Sequence, residues 1–215
     1  AGEDSRHSLV LLVVERGMAG FERGRNLKKL GLDAQDTAEL FFEDVKVPKE
    51  NLLGEPGRGF HYLMEGLAEE RLLAACVSAA NARHAFDITR QYVGERELFG
   101  QPLSMQQNTQ FTMAELDTQI DVVQAYLDQC VADHNKNRLT AEMASKAKLA
   151  ASEIECKMVD AGVQLHGGAG YMEEYEICRM YRDSRVSRIY GGTSEVMKLI
   201  IGREIFSEKY RSILA

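Results

Sequence analysis

One glutamate in this sequence sits where its neighbours cannot satisfy it. From Gly59 onward apolar residues recur at helical spacing, and Leu63, Leu67, Ala74 and Val77 fall on one stripe with Glu70 near its centre. The neighbours of Glu70 at i±3 and i±4 are Gly66, Leu67, Leu73 and Ala74, none of which pairs with a carboxylate. Ionising a carboxyl among apolar groups is costly, which would raise its pKa from the usual value of about 4.3 and suit it to take a proton as a general base. The plainer reading is an exposed helix end, or an ion pair with another element. Spacing alone leaves both open. Glu69 projects away from the stripe and reads as a surface acid.

A second place where chemistry could be done is Tyr190-Gly191-Gly192-Thr193-Ser194-Glu195, which opens the last helical stretch. Thr193 or Ser194 can cap that helix, and Glu195 in its first turn suits the helix dipole. Free N–H groups there, with glycines permitting close approach, could bind a phosphate or polarise a carbonyl; an ordinary capped helix reads the same way. Arg96 beside Phe99-Gly100, and Gln164 before His166-Gly167-Gly168, each have a bland reading too, as surface arginine and helix end. Other chemistries are missing. There is no G-x-S-x-G elbow, no G-x-x-x-x-G-K-[ST] loop, and Gly168-Ala169-Gly170 lacks the third glycine of a dinucleotide fingerprint. Five histidines form no H-x-x-x-H or E-x-x-H pair, and Cys76, Cys130, Cys156 and Cys178 form no C-x-x-C, so neither a metal site nor a disulfide framework is expected.

The elements that must carry these residues change character near residue 50. Residues 8–14 are β-branched and Leu-rich, which predicts a strand buried on both faces; Ala38, Leu40 and Phe42 alternate with Glu39, Phe41 and Glu43, and Val45 and Val47 continue the alternation to Pro48. Four helical stripes follow. They are Leu73, Val77, Ala80, His84 and Ile88; then Leu116, Ile120, Val123, Leu127, Cys130 and His134; then Ala147, Ala151, Ile154, Met158, Ala161 and Leu165; then Val196, Leu199, Ile200 and Phe206. Breaks at Gly100-Gln101-Pro102, at 135–140 and at 167–170 separate them. The fold class expected is mainly α: an antiparallel four-helix bundle over 53–215, preceded by part of a β-domain over 1–52. The formal charge of −7 argues against a general nucleic-acid binder, and no apolar run is long enough to span a bilayer. The chain starts at Ala1 without a signal or transit segment, which suggests processing or truncation.

In register, Gly31-Leu32-Asp33-Ala34-Gln35-Asp36-Thr37-Ala38-Glu39-Leu40, Glu70-Arg71-Leu72, Arg96-Glu97-Leu98-Phe99-Gly100, Gln164-Leu165-His166-Gly167-Gly168 and Tyr190-Gly191-Gly192-Thr193-Ser194-Glu195 resemble the C-terminal half of the acyl-CoA dehydrogenases, and most of all the long-chain members. The resemblance covers essentially the whole chain. It implies the second half of a middle β-domain followed by a C-terminal bundle, FAD held at a subunit interface, and a homotetramer built as a dimer of dimers. It implies α,β-dehydrogenation of a fatty acyl-CoA to the trans-2-enoyl-CoA, with electrons leaving to an electron-transferring flavoprotein. Bacterial cytoplasm and mitochondrial matrix fit alike.

Carried over by position, the resemblance makes Glu70 the acceptor of the α-proton and the Gly191 N–H a donor to the thioester oxygen. Arg96, Phe99 and Gln107 match FAD contacts, and Gln164, Leu165, His166, Gly167, Gly168, Thr193, Ser194 and Glu195 match contacts to its adenosine end. Ala68, Glu69, Arg71, Tyr190 and Gly192 match the lining of the acyl-CoA site. Many family members carry the base directly after the tyrosine that Tyr190 matches, where this chain has Gly191; the long-chain and isovaleryl branches place it where Glu70 stands. His61 occupies a position that is often aromatic in long-chain relatives. Three other readings stay open: a non-catalytic fragment or oligomerisation scaffold, an isovaleryl or branched-chain dehydrogenase, and an acyl-CoA oxidase.

Overall fold

The computed structural model describes residues 9–207. They divide into two compact units that meet at Leu67 and Ala68. In the first, β1 (Leu11–Leu12) pairs antiparallel with β4 (Leu52–Leu53), and β2 (Phe21–Asn26) pairs antiparallel with β3 (Ala38–Phe42). Phe21 lies opposite Phe42 and the rings stack at 5.0 Å, with the register slipping between Arg23 and Asn26. The strand expected over 8–14 is corrected here. Only Leu11–Leu12 joins a ladder, and Leu9, Val10, Leu12 and Val13 are 43–49% exposed, because a sheet two strands wide covers neither face; Ser8 lies outside the described residues. The second expected strand stops at Phe42, five residues short of Val47, because Asp44 turns the backbone to φ 49°. Leu40, Phe41 and Phe42 are all more than half exposed, so the expected alternation of burial is absent there.

The helical period begins where the sequence places it. Helix α1 spans Gly59–Glu95, followed by a small hairpin of β5 (Glu97–Leu98) and β6 (Gln101–Pro102), then α2 (Gln107–His134), α3 (Ala141–His166), α4 (Glu176–Ser184) and α5 (Ser194–Ile205). Thr140 caps α3 by accepting the Met143 N–H at 3.1 Å, and Thr193 caps α5 by accepting the Val196 N–H at 3.3 Å. Among the described residues there are five α-helices, one more than the four expected stripes. The nine residues of α4 carry three charged pairings on so short a stretch that no stripe reads out of them.

Two apolar clusters fix how the second unit packs. Leu72, Ala75 and Ala79 of α1 meet Leu127 and Cys130 near the end of α2, and Ala147 and Ala151 near the start of α3. Ala82, Ala85 and Phe86, further along α1, meet Leu116 and Ile120 near the start of α2, and Ile154, Met158 and Val159 toward the end of α3, with Ile177 of α4. Helix α2 therefore runs antiparallel to both α1 and α3, as a short-loop bundle requires. The stripes expected on α2 and α3 face this core. Those on α1 and α5 do so only in part, through Ile88, which packs against the second cluster, and the half-buried Ile200. Leu73 (66% exposed) and Val77 (47%) stand outside, and the core face of α1 is the neighbouring line Ala75, Ala79, Ala82, Phe86, Thr89 and Val93. On α5 the buried side chains are Ser194 and Met197, while Val196, Leu199 and Phe206 are exposed. Small residues let α1 approach its neighbours closely, so its packing face is the less hydrophobic one. Among the described residues no helix is long and apolar enough to cross a membrane, and no His, Cys, Asp and Glu gather as a metal set.

Candidate functional site

The predicted residues fall in two places. The first is built where α1 meets the segment that leads into α5. Glu69 and Glu70 are exposed, Ala68 is half-buried, and Arg71 is turned inward, 6% exposed. From there Arg71 Nε donates to the carbonyl of Gly191 at 3.3 Å, across 120 residues of chain. Burial lowers the Arg71 pKa, and the adjacent Glu70 carboxylate opposes that shift. The next carbonyl, of Gly192, accepts from Lys148 Nζ of α3 at 2.7 Å. Lys148 is 1% exposed, and burial pushes its ammonium down, with Glu153 opposing.

Two cations thus hold two successive carbonyls, and the backbone between Tyr190 and Thr193 takes a shape only glycine accepts readily. Gly191 has φ 63° and Gly192 φ 102°, and a Cβ on Gly192 would stand 2.6 Å from Met197 Cε. Among the described residues no acceptor takes the Gly191 N–H. The start of α5 is anchored from the same side. Glu153 of α3 accepts from Ser194 Oγ at 2.6 Å and from Arg188 Nε at 2.9 Å. Glu195 in the first turn is held below the usual carboxylate range by its own backbone N–H and the Thr193 hydroxyl. Tyr190 is pushed up by burial and by the nearby Glu155 carboxyl. The arrangement places an exposed carboxylate, a buried guanidinium and a free N–H on a rigid turn in one neighbourhood.

The expectation that apolar groups bury Glu70 is corrected: the side chain is exposed, and so are Leu73 and Val77 on its own face of α1. Along the stripe Leu63, Glu70, Leu73 and Val77 are exposed, and Leu67 and Ala74 are half-buried.

The second place is a cavity of about 620 Å³ lined by Tyr92, Arg96, Leu98, Leu103, Asn108, Thr109, Gln164, Leu165, His166, Gly167, Gly168, Ala169 and Tyr175. His166 lies under the Tyr92 ring at 4.0 Å, donates through Nδ1–H to the Gly162 carbonyl at 2.7 Å, and receives Tyr175 edge-on. Burial lowers its pKa, with the Gly162 carbonyl opposing. Gly167, at φ 59°, and Gly168 have open space where a Cβ would stand, so a ligand can approach their backbone. The Arg96 guanidinium has no charged partner among the described residues. A cavity of this size with glycine backbone, one free cation and stacked aromatics suits the phosphate and base of a nucleotide.

Six predicted residues, Arg96 and 164–168, are therefore gathered by the fold. Phe99 is not in that lining. It stands 95% exposed at the tip of the β5–β6 hairpin, at φ 54°, with Gly100 at φ 78°. Gln107 opens α2 as an exposed residue beside the lining Asn108 and Thr109, and Thr193, Ser194 and Glu195 belong to the first place. Sequence reasoning missed Lys148, Glu153, Tyr92 and Tyr175. The signal for Lys148 was present: a cation inside the alanine-rich stripe of α3 is as misplaced as Glu70 on α1.

Residues 57–206 match the family model described as acyl-CoA dehydrogenase, C-terminal domain. The chain is 50% identical over 203 residues to the long-chain specific acyl-CoA dehydrogenase, mitochondrial, of Sus scrofa, covering 94% of this chain and 47% of that protein. It is similar to the crystal structure of acyl-CoA dehydrogenase from Geobacillus kaustophilus, with a TM-score of 0.93, 48% identity, and coverage of 95% and 54% of the two chains. It is also similar to acyl-CoA dehydrogenase complexed with FAD from Bacillus anthracis, with a TM-score of 0.86, 32% identity, and coverage of 93% and 38%. The chain spans about half the length of the curated relatives it matches.

Proposed function

Since the chain belongs to the acyl-CoA dehydrogenase family, we propose that it is the part of an FAD-dependent, long-chain acyl-CoA dehydrogenase that supplies the base, the thioester-binding turn and one end of the cofactor site. The observation that carries this reading is the Arg71 to Gly191 hydrogen bond, because it draws the carboxylate-bearing turn of α1 and the N–H-bearing turn before α5 into one site. An α C–H beside a thioester is a weak acid, so it yields its proton only while the carbonyl oxygen is held by a donor. Glu70 takes that proton. The Gly191 N–H, in a turn whose next two carbonyls are held by Arg71 and Lys148, donates to the oxygen. FAD, when bound, supplies the acceptor for the β-hydride. Tyr190, Gly192, Ala68 and Glu69 line the approach of the substrate.

The cavity at Arg96 and 164–168 fits one end of FAD, and Phe99, Gln107, Thr193, Ser194 and Glu195 lie apart from that lining. A cofactor shared between subunits would use both sets, which is the arrangement the family resemblance implies, in a tetramer that hands electrons to an electron-transferring flavoprotein. Residues 1–52 then belong to a middle β-domain and 53–215 to the helical domain. The mitochondrial relative supports the matrix as the location, with a bacterial cytoplasm the other expectation. The test is Glu70→Gln in the complete subunit: turnover of a long-chain acyl-CoA falls by at least the roughly 10²–10⁴-fold of a lost general base. Turnover within tenfold of wild type removes Glu70 from the role.

A further inference from the structure

Three side chains of α3 reach the segment that carries Gly191, and none belongs to a motif of the site. Lys148 donates to the Gly192 carbonyl at 2.7 Å, Glu153 accepts from Ser194 at 2.6 Å and Arg188 at 2.9 Å, and Glu155 faces the Ser187 hydroxyl. Lys148 is the most telling. A lysine 1% exposed is costly to bury, and a surface role would not require it. Its ammonium has one directed hydrogen bond, to the carbonyl immediately after the turn residue whose N–H is free. The carbonyls of Gly191 and Gly192 share rigid peptide planes with the N–H groups of Gly192 and Thr193, so holding them fixes those two planes; the Gly191 N–H, in the plane before, is bracketed between them and Tyr190, whose own N–H donates to the Val186 carbonyl at 3.0 Å. Glycine at φ 63° and φ 102° has wide freedom to swing, and nothing in its own side chain resists.

We propose that Lys148 and Glu153 are positioning residues: from α3 they lock the Gly191-Gly192 turn and the start of α5, and so aim the Gly191 N–H at the thioester oxygen. This rests on the function proposed above and deepens it. Neither residue touches the substrate. Each acts through the turn, so its loss weakens the acidification of the α C–H while leaving the binding of the acyl chain and CoA in place.

The test measures proton exchange and not turnover. The complete subunit loaded with FAD is saturated with β-thiapalmitoyl-CoA, in which sulfur replaces the β-carbon so that no hydride can leave. In D₂O the Glu70 carboxylate takes an α-proton, the electron pair is held on the thioester oxygen, and a deuteron returned by the exchanged carboxyl completes the cycle. Mass gain of the recovered thioester gives the rate. Lys148→Met fills the same space without the charge, and its exchange rate is expected to fall about 10–100-fold, while Kd for the analogue, flavin content and melting temperature stay near wild type. Exchange within threefold of wild type overturns the proposal, since a merely structural lysine would leave it unmoved. Should Lys148→Met fail to hold FAD, Glu153→Gln carries the test by the same criterion, because that side chain is half-exposed and the isostere fits. Glu70→Gln separates the two readings. A wild type that exchanges while Glu70→Gln does not upholds the base, so an unmoved Lys148→Met then overturns the positioning role alone. A wild type with no exchange overturns both.

Discussion

Gly162 is the point where α3 comes closest to its neighbours, and substituting it with alanine sets two computable effects against each other. A Cβ there would stand 2.7 Å from Ile177 Cδ1, 2.9 Å from Thr89 Oγ1 and 3.0 Å from Ile177 Cγ1. Both neighbours are 0% exposed, so neither can retreat without moving the cluster of Phe86, Leu116 and Met158 around it. Overpacking of this kind costs about 1–3 kcal/mol. Alanine over glycine in a helix interior returns about 0.8–1.0 kcal/mol. The net is a loss of about 0–2 kcal/mol for Gly162→Ala. Gly202 of α5 provides the contrast, because nothing lies within 4 Å of its would-be Cβ, and only the favourable effect remains. The two variants should therefore differ by about 1–3 kcal/mol, or roughly 2–12 °C in melting temperature at about 2–4 °C per kcal/mol for a protein of this size. Thermal unfolding followed by far-ultraviolet circular dichroism, on both variants in one buffer, reads the difference. If Gly162→Ala melts as high as Gly202→Ala, the α3–α4 contact has slack and the argument fails. A second consequence follows in the cavity, since the Gly162 carbonyl is bonded to His166 Nδ1, so Gly162→Ala should also loosen the nucleotide end of the site.

Glu155→Gln tests the buried acid of α3. Its carboxyl is 1% exposed and is raised by burial, with Asn81, Ser78 and Ser187 opposing. For an acid raised in the folded state, the stability present below the unfolded pKa of about 4.5 is lost as pH rises from there to the folded value. Glutamine keeps the Asn81 hydrogen bond and removes the penalty, so the variant should melt above wild type near neutral pH and level with it at about pH 4; a gap independent of pH refutes this. Arg96→Ala removes the free cation at the cavity and should lower the flavin-to-protein ratio of the purified subunit. An unchanged ratio counts against Arg96 as a phosphate contact.

The legible part of this fold is the part where hydrophobicity and burial coincide. On α2, Leu116, Ile120, Leu127 and Cys130 are apolar and buried, and the period gives the face directly. On α1 they separate. Its packing line is Ala75, Ala79, Ala82 and Ala85, whose value lies in being small, whereas the larger Leu73 and Val77 on the next line dominate any count of hydrophobicity and stand in the open. The same misdirection turns Val196 and Leu199 of α5 outward and hides Met197. Among site residues, motif order brought Arg96 and 164–168 together, because each motif ends a helix at one end of the bundle. Lys148 and Glu153 belong to no motif. Their partners are one backbone carbonyl, the first serine of α5 and an arginine, each about 40 residues away, and a pairing of that kind leaves no spacing to read.

The exposure of Glu70 then takes on a different sense. Glu70 shares its face of α1 with Leu73 at i+3 and Val77 at i+7, all three exposed in a chain about half the length of its relatives, so these groups gain burial only from what covers that face. On the function proposed above the gain comes from the substrate. A long acyl chain laid along that face would bury the leucine and the valine and strip water from the carboxylate in the same event. The inward turn of the next residue makes this workable: Arg71 is held to Gly191 from below, and the charged end of the site stays fixed while the face above it waits to be covered. Glu155 differs in that its burial is complete within this chain.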